Sequence, residues 1–242
     1  MALDYQPLYI LGSGMLLQER KLGVIANNIA NTDTPSFKRD LLIVESWFTE
    51  SGNQIRNSSP ENPSNNFVYP MISSIYTVFS QGSLRETSNP LDFAIEGEGF
   101  FAVRTPEGIR YTRKGNFSLD RQGFLVTEEG YRVLSDNLKD IRIPQGNIRL
   151  DSEGNIYVEG ELTEKIGVWD LTDIRKEGFD FFTGIAQPAN NYRVLQGFLE
   201  ESNVNPVEEM VRLIETSRAH EVYTRLIQTV DEIQGKVNTL IR

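Results

Sequence analysis

The sequence predicts an α+β protein, with long N- and C-terminal helices forming an assembly core and a central, mainly antiparallel β domain. Three observations predict it. Apolar residues recur in alternating steps of three and four near both ends of the chain. Between them, short apolar or alternating runs are cut by closely spaced turn glycines. Stop and start signals, Thr34-Pro35 and Asn205-Pro206, bracket the change of period. The expected division is 1–39 for the first core helix and its exit turn, 40–73 for an extended linker, 74–195 for the β domain and 196–242 for the second core helix.

The first helix rests on Leu8, Leu11, Met15, Leu22, Ile25 and Ile29, with Gln18 filling one position of the stripe. Gly12, Gly14 and Gly23 weaken it in isolation, so it needs partners to become ordered. Asn27, Asn28 and Asn31 crowd its end. Their amides are expected to satisfy backbone groups or a neighbouring subunit. Thr34 braces the turn, Pro35 lacks the amide that a further helical turn requires, and Ser36 continues the bend. The polar stretch Ser51–Asn66, with Pro60 and Pro63, reads as a loop.

From about Ser74 the pattern becomes that of strands. Glycines at 108, 115, 123 and 130 suit tight antiparallel connections, and IRLDSEGNIYVEG repeats the style as strand, Asp-x-x-Gly-Asn turn and strand. The second helix opens at Asn205-Pro206, with Glu208 and Glu209 favouring its N-terminus. Its stripe runs through Leu213, Thr216, His220, Tyr223, Ile227, Val230, Gln234, Val237 and Ile241, and Ala219, Leu226, Ile233 and Leu240 broaden it. The two ends are expected to meet as an antiparallel pair with the β region as an insertion. So wide a stripe calls for further helices from other chains.

Composition narrows the function. A formal net charge of −10 and no long Lys/Arg run oppose nucleic-acid binding. The absence of cysteine excludes disulfides, thiolate catalysis and cysteine metal sites. No apolar run reaches the length of a membrane span. The opening MALDYQPLYILGSGMLLQERK has no basic stretch before its apolar residues, which leaves open export without a cleaved signal. His220, the only histidine, has no nucleophile and orienting partner nearby in sequence and reads as a packing residue. Glu96 and Glu98 read as a solvated turn rather than a hydrolase pair. Gly97-x-Gly99 precedes no phosphate-cradling helix, and the Asp151–Asn155 segment lacks the spacing of a calcium loop. Phe100, Phe101, Tyr111, Phe117, Phe124 and Tyr131 fill a small β core on this reading. The alternative is an exposed glycan-binding face on a multimeric module. No cofactor is expected.

Four ordered blocks then converge. ANNIANTDTPSFKR (Ala26 to Arg39), QGSLRETSNPLDFAIEGEGFFAV (Gln81 to Val103), YTRKGNFSLDRQGFLVTEEGYRVL (Tyr111 to Leu134) and the tail from Gln196 to Ile233 together resemble the bacterial flagellar basal-body rod and hook family, specifically its rod proteins. The resemblance implies a non-enzymatic structural subunit that self-assembles into a torque-transmitting drive shaft across the periplasm. It implies type III export, partners among other rod proteins and the export apparatus, and contact with rod-surrounding ring components. Length and a compact middle suit a rod protein rather than the larger hook protein, and among rod proteins the proximal type is favoured, with the distal type as the alternative. Leu22, Ile25, Asn28, Ile29, Asn31, Leu213, Arg218, Tyr223, Ile227, Val230 and Val237 are the expected assembly residues, with Thr34, Pro35 and Ser36 forming the turn. Ser36 stands where the family commonly has glycine in TPGFKR. Ser217 and His220 depart from a QRAYE-like segment whose Arg218, Ala219 and Glu221 are kept.

Overall fold

The computed structural model describes residues 6–49, 67–178 and 180–240. The chain is α+β, with terminal helices that pack together and a central antiparallel β region. It runs α1 (Gln6–Ala30), β1 (Asp40–Thr49), β2 (Phe67–Thr77), β3 (Leu84–Glu86), β4 (Phe93–Gly97), β5 (Phe100–Thr105) and β6 (Gly108–Thr112). Then come the short strands β7 (Ser118–Leu119), β8 (Leu125–Val126) and β9 (Arg132–Val133). After these follow β10 (Ile148–Leu150), β11 (Asn155–Val158), β12 (Glu161–Lys165), β13 (Val168–Glu177), β14 (Phe181–Pro188), β15 (Tyr192–Gln196), β16 (Phe198–Glu200) and α2 (Pro206–Leu240). Contacts divide the chain into two units. One holds α1, Asp40–Val78 and α2, and the other holds Asn31–Arg39 and Phe79–Val204.

In the first unit, α1 and α2 run antiparallel. Asn28 near the end of α1 reaches Glu209 at the start of α2, and Gly14 meets the ring of Tyr223 further along. A Cβ at Gly14 would overlap that ring, so the glycine that weakens the isolated helix is what admits its partner. β1 and β2 form an antiparallel hairpin, from Asp40 opposite Thr77 to Thr49 opposite Phe67, with a bulge between Ile43 and Val44. These strands occupy parts of the segment expected to be an extended linker. The loop expected at Ser51–Asn66 lies outside the described residues.

In the second unit, β5 pairs with β6, β6 with β14, β14 with β13, and β13 returns to β5, closing a small ring of four strands. β5 is buried on both faces, which explains why FFAV shows no polar alternation. Phe101 and Val103 enter the main core with Phe93, Ile95, Leu125, Ile141 and Ile166. Phe100 and Ala102 enter a second core with Tyr111, Leu134, Leu171 and Phe182.

The same five-residue turn occurs four times, at 120–124, 127–131, 135–139 and 151–155. In each, the first residue and the fifth exchange a backbone hydrogen bond, and the amide of the fourth donates back to the first. The fourth residue is left-handed each time: Gly123, Gly130, Leu138 and Gly154, with φ of 83°, 87°, 57° and 85°. Asp120 and Asp151 brace two of these turns by accepting amides two and four residues on. The carboxylate of Asp151 is therefore committed to its own loop, the β-turn the spacing suggests.

Candidate functional site

The end of α1 is built around Asn28, which is buried. Its Oδ1 accepts the Asp40 amide at 3.0 Å, and its Nδ2 donates to the Asp40 carbonyl at 2.9 Å. One side-chain amide thus pairs with both backbone groups of the first residue of β1, as a neighbouring strand would. Nδ2 also lies 3.3 Å from Oε2 of Glu209, a buried carboxylate in the first turn of α2. The helix N-terminus favours that negative charge. Asn205 caps α2, its Oδ1 accepting the amides of Val207 and Glu208, and Pro206 occupies the first helical position. Beside Asn28 a cleft of about 270 Å³ is lined by Lys21, Ile25, Asp40, Glu209, Arg212 and Glu215, among others.

The exit turn closes on itself. Thr34 donates its amide to the Asn31 carbonyl and its hydroxyl to Asn31 Oδ1, and Phe37 donates back to the Thr34 carbonyl across Pro35. Ser36 is buried in the left-handed region at φ 61°. Its amide donates to the Glu200 carbonyl and its hydroxyl to the Arg113 carbonyl, both at 2.8 Å. These two bonds offset the cost of a conformation that glycine adopts more freely.

Next along the turn, Lys38 is fully buried and donates to Glu200 Oε1 at 2.5 Å and to the Ser80 carbonyl at 2.9 Å. The same Glu200 oxygen accepts the Gly82 amide. The Arg113 guanidinium lies 3.7 Å from Oε2 of Glu200, donates to the carbonyls of Ile95 and Gly97, and rests on the Phe100 ring. Burial pulls the Lys38 ammonium below its ordinary pKa despite Glu200, and burial does the same to Arg113. Asn203 completes the clamp, accepting the Arg39 amide and donating to Ser80.

Of the residues expected from sequence, Ile25 and Asn28 are buried, while Leu22, Ile29, Leu213, Tyr223, Ile227 and Val230 are half-buried. Arg218 is exposed, and the side chain of Val237 lies outside the described residues. A different face of α2 is left uncovered. Val207, Val211, Ile214, Val222, Leu226 and Ile233 are between 45% and 68% exposed. Sequence reasoning also gave no role to Lys38, Arg113, Glu200 or Asn203, and gave Glu209 only a place at the helix N-terminus, although all five lie in the family-like blocks. Their only signal was a set of charged and amide residues inside otherwise apolar or glycine-rich runs.

Phe100, Phe101, Tyr111 and Phe117 are buried, so they fill the β core rather than a binding face. Glu96 and Glu98 are both exposed. Among the described residues no group of three or more His, Cys, Asp or Glu is placed to hold a metal ion, and no helix is long and apolar enough to cross a membrane.

Paired terminal helices and a β insertion, each fastened at its own turns by buried polar groups, define a structural protein. Three family models match it in order: "Flagella basal body rod protein" over residues 8–38, "Flagellar hook protein FlgE/F/G D1 domain" over 94–158 and "Flagellar basal body rod FlgEFG protein C-terminal" over 195–240. It is 32% identical to the flagellar basal-body rod protein FlgF of Caulobacter vibrioides, covering 96% of this chain and 98% of that protein. It is 32% identical to FlgG of Borreliella burgdorferi and 31% identical to FlgG of Bacillus subtilis, each over 97% of this chain and 98% of the relative. The chain belongs to the flagellar basal-body rod protein family.

Proposed function

We propose that this chain is a subunit of the rod that polymerises with copies of itself and with other rod proteins through its terminal helices. It transmits torque in the part of the rod that crosses the periplasm, and it reaches that place unfolded, through the flagellar type III export apparatus. The observation that carries this reading is the uncovered apolar face of α2, Val207 to Ile233. Apolar surface removed from water contributes roughly 25 cal/mol per Å², so apolar side chains repeated along one exposed helix face mark a contact surface. Leu22, Ile25, Asn28, Ile29, Asn31, Leu213, Arg218, Tyr223, Ile227, Val230 and Val237 belong to the same helical core in this reading. Thr34, Pro35 and Ser36 redirect the chain out of it at the boundary between 1–39 and 40–73. The β domain is then 74–195 and the second core helix 196–242. Rod-surrounding ring components are further neighbours.

We assign the proximal rather than the distal level. The chain aligns with the FlgF relatives over 246 and 247 positions and with the FlgG relatives over 257 to 262, so its length is nearer that of the FlgF relatives. Cryo-electron microscopy of intact basal bodies at side-chain resolution tests both statements. Density for this chain near the base of the rod is expected. Density at the distal level would overturn the assignment of level, and absence from the rod would overturn the function.

A further inference from the structure

The β unit carries a cationic face at odds with the acidity of the chain. Arg104 and Arg132 stand directly opposite each other across β5 and β9. Like charges so placed destabilise a strand pair, and a single carboxylate, Asp140, lies between them. It accepts Arg104 Nε at 2.9 Å and Arg132 Nη1 at 2.7 Å. The Arg132 guanidinium is also stacked 4.1 Å from the Phe124 ring. Arg142 pairs with Phe124 as an isolated bridge, and its Nε donates to the Gln122 carbonyl at 3.3 Å. Among the described residues these three guanidiniums have one ion-paired carboxylate, Asp140, in a chain whose net charge is −10. Arg142 is exposed, and its Nη groups make no bond among the described residues. Stacking and hydrogen bonding already fix Arg132 and Arg104, so they lose little further freedom on binding.

We propose that this face docks the acidic β11–β12 turn of a second copy of the chain. Glu159 and Gly160 are both left-handed, at φ 52° and 88°, making a two-residue hairpin turn that presents Glu159 and Glu161 at an exposed apex. Glu159 Oε1 accepts the Asn147 amide at 2.6 Å, which fixes the first carboxylate. Neither glutamate, nor Glu164 further along β12, has a cation within ion-pair distance among the described residues. The planar guanidinium fork matches a carboxylate in charge and geometry. A second copy is favoured as the source because each one brings unneutralised glutamates on a rigid turn. The contact joins two different patches and so propagates from subunit to subunit. It rests on the rod reading and names the surfaces by which β units touch.

The chain has no cysteine, so introduced thiols are unique. Basal bodies would be purified from cells carrying Arg142→Cys together with Glu161→Cys and treated with a short bis-maleimide. Covalent dimers and higher multimers are expected, and neither single variant should give them. Separately, Arg142→Glu should lower incorporation into basal bodies by about tenfold, or 1.4 kcal/mol, and adding Glu161→Arg should restore it. An incorporated double-cysteine variant that gives no multimers overturns the docking, as does a reversed pair that restores nothing, and both leave the rod reading intact. Absence of the wild-type chain from basal bodies removes the rod reading and the docking together.

Discussion

The Lys38 ammonium and the Glu200 carboxylate form a buried ion pair at 2.5 Å, joining the exit turn of the first helix to the strand that leads into the second. Arg113 adds a second buried cation, so the Glu200 carboxylate faces two positive charges. This arrangement predicts an asymmetry. Glu200→Gln strands both cations and should cost roughly 3–5 kcal/mol. Lys38→Met leaves Glu200 with Arg113 and the Gly82 amide, and should cost about 1–3 kcal/mol, chiefly through the lost bond to the Ser80 carbonyl. The slowest-exchanging amides of β5 in the full chain report both values. Equal costs, or the reverse order, would count against the three-charge account.

Ser36 gives a second ordering. Ser36→Gly removes the left-handed strain, about 1 kcal/mol, and loses the hydroxyl bond to Arg113, worth about 1 kcal/mol, so it should lie close to wild type. Ser36→Ala loses the bond and keeps the strain, and should be the less stable by about 1 kcal/mol. The same exchange measurement compares them. Alanine matching glycine would show that the backbone there is not strained.

Much of this architecture is legible in the chain, because helices and turns are local. The three/four periodicity, Pro35 as a stop and Asn205-Pro206 as a start need only neighbouring residues, and the structure places helix ends at Ala30 and Pro206. The recurring Asp-x-x-Gly turn is visible for the same reason. The clamp was not legible, since Lys38, Arg113 and Glu200 look like surface charges until distant strands enclose them. The division of the α2 surface was also hidden. A broad apolar stripe shows that two faces exist, but it takes the contacts of Gly14 with Tyr223 and of Asn28 with Glu209 to show which one α1 covers.

Acid should weaken the β unit through its turns. Burial opposes ionisation of Asp151, but bonds from the Asn155 side chain and amide, the Glu153 amide and the Tyr157 hydroxyl outweigh it and hold the carboxyl below its ordinary value. At Asp140 burial is likewise outweighed, by hydrogen bonds from Arg132 and Arg104. A carboxyl depressed in the folded state stabilises fully above its unfolded pKa, near 3.9, and loses that contribution as pH falls through the folded value. Denaturant midpoints should therefore drop below about pH 4, and Asp151→Asn should flatten the slope. An unchanged slope in that variant would remove Asp151 from the account.

The exposed face of α2 separates folding from assembly. Ile214 and Val222 are 52% and 55% exposed, so a charge at either position is carried into water and not into a core. Ile214→Glu and Val222→Glu should leave helix content and thermal midpoint within a few degrees of wild type, because exposed substitutions shift stability by only about 0.5 kcal/mol. In an assembled rod the same carboxylates would be buried against a neighbouring helix without a partner, at a cost of several kcal/mol per subunit. Incorporation into basal bodies should therefore fall by orders of magnitude while the monomer stays folded. Ile25→Glu differs, because Ile25 is already buried in the single chain and its substitution should lower the thermal midpoint as well. Circular dichroism of purified variants, set beside immunoblots of basal bodies from the same strains, separates the two effects. Normal incorporation of folded Ile214→Glu and Val222→Glu chains would show that this face is not part of the rod's helical core.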